Sequence, residues 1–165
     1  MDMLLHRRML VLVAGVALAL AVVVWVLPRA SSAAPPEPVD VTTTLPGCDF
    51  PVRAEVSGKS KVTELPSGQT LITAPNLRIT LTNLTEQTNQ VTYVITGSFL
   101  TTEQPDGSLF VEARGRNLIF GEEVGIFLTI GQFTFIGREA DEGVIVAITP
   151  PTGEGSLTDV CAVLA

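Results

Sequence analysis

The chain predicts an all-β protein: one antiparallel β-barrel or sandwich of about eight strands, closed by a short C-terminal helix and preceded by an N-terminal signal or anchor segment. Three observations predict it. Apolar and polar side chains alternate with a two-residue period from Cys48 onward. Turn residues break that alternation at near-regular intervals. Helical periodicity appears in the exported part only in its last few residues.

Residues 1–33 read as a signal peptide or signal anchor. Met9–Leu27 is an uncharged apolar run of about 19 residues, long enough to cross a bilayer core as a helix. Arg7 and Arg8 precede it, and Ser31-Ser32-Ala33-Ala34 offers a signal peptidase small side chains after Pro28. Cleavage after Ala33 and retention as an anchor both stand, because the run exceeds the usual apolar core of roughly 7 to 15 residues. Both give one topology, with the basic N-terminus in the cytoplasm and everything after Leu27 exported. The expected location is secreted or extracytoplasmic, with membrane contact only through residues 9–27 if the leader is kept.

Residues 34–46, APPEPVDVTTTLP, carry no apolar periodicity and read as an extended Pro/Thr-rich linker. The exported β domain is expected over 47–165. The whole chain holds 10 Lys and Arg against 17 Asp and Glu. Arg7, Arg8, Arg29 and Asp2 lie in the leader, so the exported part carries about −9. That sign opposes binding to nucleic-acid phosphates or to an anionic membrane surface.

The strands follow in order. Phe50, Val52, Ala54 and Val56 alternate with Arg53 and Glu55 up to a turn expected around Gly58; Val62 and Leu65 run to Pro66-Ser67-Gly68. A short strand over Thr70–Thr73 stops at Pro75. Leu77, Ile79 and Leu81 then alternate cleanly with Arg78, Thr80 and Thr82. One strand is expected over Val91–Thr101, then a turn at Pro105-Asp106-Gly107. Leu109–Phe120 and Gly125–Ile136 are long strands with internal Gly115 and Gly131, glycines that suit curved barrel walls. Arg138–Gly143 is a polar turn before a last strand over Val144–Thr149. Ser156 or Thr158 caps a short helix running through Leu164, with Asp159 in its first turn.

Cys48 and Cys161 flank the alternating region, and an even cysteine count in an oxidising compartment predicts a disulfide between them. No C-x-x-C is present to make the pair a redox centre.

Four stretches carry a resemblance: Cys48-Asp49-Phe50-Pro51-Val52, Leu81-Thr82-Asn83-Leu84, Gly115-Arg116-Asn117-Leu118, and Thr158 through Leu164. Together they resemble a group of small exported β proteins of unknown function from high-GC Gram-positive bacteria. The resemblance implies export and an all-β domain, and no catalytic residue is carried over from it.

The only histidine, His6, precedes the apolar run, so the exported part has no imidazole for a Ser-His-Asp triad, a Cys-His pair or a histidine zinc site. Carboxylates Glu122, Glu123, Glu139, Asp141 and Glu142 fall in expected turns, where acidic side chains are ordinarily solvated; two suitably spaced ones are the minimum for a glycosidase. A calcium site at Glu139–Glu142 lacks EF-hand spacing. No catalytic residue, metal site or cofactor is therefore expected. Asn83-Leu84-Thr85 matches a glycosylation sequon by spacing alone.

Binding is the expected activity, in one of two modes. A small hydrophobic ligand would sit inside a hollow barrel against Phe127, Phe133 and Phe135, which share one face of the strand Gly125–Ile136. The other face, with Ile126, Leu128 and Ile130, is also largely apolar, so something must cover it: a second sheet, the helix, a partner or a ligand. In the second mode the outer surface engages a cell-envelope protein. Arg114 and Arg116 are a candidate fork for a carboxylate or phosphate, unless Glu112 beside them neutralises an ordinary outer face. A carboxylate-based hydrolase is the remaining alternative.

Overall fold

A computed structural model describes residues 35–86, 88–140 and 144–165. The expected signal or anchor segment lies outside the described residues. Its sequence neighbours from Pro35 onward form one unit.

The fold is built on β2 (Val52–Glu64), whose alternation of Val52, Ala54 and Val56 with Arg53 and Glu55 buries one face. Its first half is flanked by β1 (Glu37–Leu45) and β4 (Leu77–Asn83), and its second half pairs with β3 (Thr70–Thr73). Gly58 pairs with Val39, and β2 runs on past it without reversing. The reversal comes at 65–69, where Leu65 N–H donates to the Gln69 carbonyl at 2.8 Å and Gly68 N–H donates back at 2.9 Å. The remaining elements are β5 (Gln90–Ile95), β6 (Ser98–Glu103), β7 (Leu109–Gly121), β8 (Gly125–Glu139), β9 (Ile145–Ala147), β10 (Thr152–Asp159) and α1 (Val160–Leu164).

All pairings are antiparallel, in the order β10-β8-β7-β6-β3-β2-β4-β5, with β1 added on β2 and β9 on β8. The sheet does not close into a barrel: among the described residues β5 and β10, at its two ends, do not pair. Of the two glycines expected to curve barrel walls, Gly115 has another task. Gly115 (φ +82°) lets β7 accept the corner between β5 and β6, whose Thr96 and Gly97 N–H groups donate to the Arg116 carbonyl at 3.2 and 2.9 Å. That corner also divides the strand expected over Val91–Thr101.

Two further expectations are corrected. Nine consecutive residues of the expected linker, Glu37 to Leu45, pair residue by residue with β2, and Leu45 enters the core. Pro38 is tolerated because this is an edge strand. Thr152–Asp159, partly read as helix, is β10; only from Val160 does the chain turn helical, with Asp159 as N-cap accepting the Ala162 N–H at 3.2 Å.

The apolar faces of β8 are covered separately. Ile126 and Leu128 join Val52, Ala54, Leu81, Ile95, Val160 and Leu164 in one core, so β1–β2–β4–β5 and α1 cover this end of the strand. Phe133 and Phe135 point into a second core with Val111, Ala113, Ile119 and Ala147. A second group of strands and the helix therefore cover Ile126 and Leu128 of that face, while Ile130 stays 41% exposed.

Candidate functional site

Cys48 and Cys161 are bonded, joining the β1–β2 connection to α1 across 113 residues of sequence. No free cysteine remains. A loop of this length gives roughly 4 to 5 kcal/mol of stabilisation in the chain-entropy picture.

The phenylalanine candidates do not share a chamber. Phe133 and Phe135 are 5% and 4% exposed, packed among β6, β7 and β9 residues, and Phe135 meets Phe99 edge to face with centroids 6.1 Å apart. Phe127 is half-buried further along β8, in register with Ile119 of β7 and Asp159 of β10. Space that a hollow barrel would have kept open is occupied by side chains.

Openings lie on the surface instead. A trough of about 230 Å³ crosses β7, β8 and β10, lined by Glu112, Arg114, Gln132, Thr134, Thr152 and Glu154. Ala113, Phe133 and Gly153, in register with one another, also border it. Because Ala113 and Phe133 turn their side chains to the core, the trough occupies the opposite face, with strand backbone as its floor. Arg114 reaches Glu112 at 3.8 Å, but its side chain is 63% exposed, so the pair contributes little. Arg116 is exposed and does not line the trough. The structure thus joins Arg114 with the backbone at Phe133, and separates both from Arg116, Phe127 and the buried Phe135.

A second cleft, about 310 Å³, is lined by Glu122, Glu123, Arg138, Val146, Ala147 and Ile148. Glu122 and Glu123 lie in the β7–β8 turn and are exposed, as is Glu139; Asp141 and Glu142 are outside the described residues. Among the described residues, no three His, Cys, Asp or Glu side chains are placed to share a metal ion. No helix there is long and apolar enough to cross a membrane.

The most constrained polar residues are asparagines to which the sequence assigned no structural role. Asn83, 3% exposed, donates from Nδ2 to the Leu164 carbonyl at 3.0 Å and accepts the Thr85 and Glu86 N–H groups at 2.8 and 3.1 Å. Asn89 Nδ2 adds bonds to the Leu164 and Ala165 carbonyls at 3.2 and 3.3 Å. Together they cap the C-terminal end of α1. The Asn83 amide that a sequon would offer for glycosylation is therefore buried and bonded. Its position at a strand end before a polar turn was the available signal for an Asx-turn. Asn117 is likewise buried beneath Gly97 and donates to the Arg114 carbonyl at 3.0 Å.

Two titrating groups are displaced. Partial burial raises the Tyr93 phenol above its ordinary value. The Ser108 hydroxyl, then the Ser108 N–H, holds the Asp106 carboxyl below the usual range at the β6–β7 turn. Neither lies in a cleft. Compared with protein families, with curated proteins and with solved structures, the chain finds no match.

Proposed function

We propose that this protein is an exported, disulfide-closed β module that acts by surface contact with a component of the cell envelope, through the polar face of β7, β8 and β10. The observation that carries the reading is the fate of Phe133 and Phe135. They are spent on packing against Phe99, Val111 and Ile119, while the open trough on the reverse face presents Arg114, Glu112, Gln132 and Glu154. A mixed-charge polar surface of this kind suits a solvated protein interface better than an apolar small molecule. The disulfide supports placement in an oxidising compartment, as the leader does. The resemblance to small exported proteins of high-GC Gram-positive bacteria fits the same placement.

Site-specific photo-crosslinking in intact cells tests it. A photoreactive residue replacing Gln132 should give a discrete protein adduct, and one replacing Thr80, on the outward face of β4, should give none. Absence of any adduct from Gln132, or the same adducts from both positions, would remove the trough as the contact surface.

A further inference from the structure

The edges of the sheet are guarded unequally. β1 carries Pro38, Glu37 and Asp40, and β5 is only six residues long and lies beside α1. β10 runs for eight residues without Pro, Lys or Arg, its only charges being Glu154 and Asp159, and every residue but Thr158 is open to solvent. Among the described residues β10 pairs only with β8, so its outer row of N–H and C=O groups has no strand partner.

The side chains of β10 are arranged symmetrically about Gly155. Leu157 lies two positions to one side and is 46% exposed, a large apolar group that no core uses. Gly153 lies two positions to the other side and must lack a side chain, because a Cβ there would strike the Gln132 carbonyl. An antiparallel copy of the same strand, centred on Gly155, places each Leu157 beside the Gly153 of the other strand. It also sets Glu154 opposite Ser156, so no like charges face each other directly. Thr152 falls opposite Thr158.

We propose that β10 pairs with β10 of a second copy of this chain, antiparallel about Gly155. The sheet then continues across a two-fold axis, and the troughs of the two copies lie on one face, on either side of the seam. The pairing uses the edge of β10 and leaves the trough of each copy open, so it goes beyond the surface reading above. The seam is short, and both chains are acidic, so the dimer is weak and tightens when salt screens the repulsion between chains. A basic partner drawn to Glu154 and Asp159 would show the opposite salt dependence.

Analytical ultracentrifugation of the protein as released by the cells that make it, at low and high salt, tests the pairing. The expected result is a reversible dimer whose dissociation constant falls by about tenfold or more as ionic strength rises from roughly 0.02 to 0.5 M. Ser156→Glu, which brings a carboxylate opposite Glu154 of the other copy, should abolish the dimer; Ser156→Lys should tighten it. Position 156 is exposed, and an unchanged thermal midpoint shows that each variant remains folded. A monomer at every concentration and salt, or dimerisation indifferent to Ser156→Glu, overturns the pairing. A monomer that still gives the Gln132 adduct with a different protein removes the self-pairing and leaves the surface reading in place.

Discussion

Asn83 joins two distant parts of the chain through one buried side chain. Its Nδ2 holds the Leu164 carbonyl while its Oδ1 closes the turn after β4. Asn83→Ala removes one of the two donors to the Leu164 carbonyl and leaves two turn N–H groups without their acceptor, and should lower unfolding free energy by about 2–3 kcal/mol in a urea titration. Phe133 is constrained by packing rather than by hydrogen bonds. Phe133→Asp buries an unpaired carboxylate between β7 and β9 and should cost several kcal/mol, about 3–5, by the same measurement. Tyr93 contributes a pH dependence. Its raised pKa means that the folded protein keeps the phenolic proton more tightly than the unfolded chain. The associated stability is complete below about pH 10, and it is lost as pH rises through the folded pKa. Urea midpoints should therefore fall as pH rises above about 10 in the native protein, and fall less in Tyr93→Phe.

At the scale of elements, legibility followed burial. β4 was readable because Ile79 and Leu81 are buried while Arg78 and Thr80 lie outward, and β7 and β8 because their apolar runs are long. β1 and β10 were not, since edge strands bury almost nothing: Leu45 is the one buried residue of β1, and β10 has none. Their pairing comes from the backbone, which leaves no apolar period to read. The candidate site was legible only in its parts. Phe133 and Arg114 were both singled out, but barrel closure, which separates a chamber from a solid core, depends on whether β5 and β10 meet. No local pattern states that. The contact between β8 and β10 has a sharp requirement at Gly131 (φ +141°), where a Cβ would collide with the Glu154 carbonyl. Gly131→Ala should destabilise by about 2–4 kcal/mol and increase hydrogen exchange along β10 before the rest of the sheet. The disulfide acts at the same end of the fold, because it pins α1, and through α1 the chain directly following β10. Reduction should therefore lower stability by roughly 4 to 5 kcal/mol, less whatever residual order the reduced chain keeps.

For the whole molecule, an acidic β domain with a filled interior presents its open polar groups on its surface. The full chain carries a formal net charge of −7, a sign that repels other anions. Two cores divide the interior, one under β2 and β4 and one between β7 and β9. Phe133 and Phe135 are packed within the second, and the openings are the polar trough and the cleft at the β7–β8 turn. A solid interior leaves no room for an apolar ligand and puts contact outside it. Titration of the native protein with an apolar fluorescent probe tests this most directly. No saturable enhancement is expected at any probe concentration below that which unfolds the protein. Saturable enhancement that Phe133→Asp abolishes while the protein stays folded would contradict it, and would restore a hydrophobic ligand to the interior.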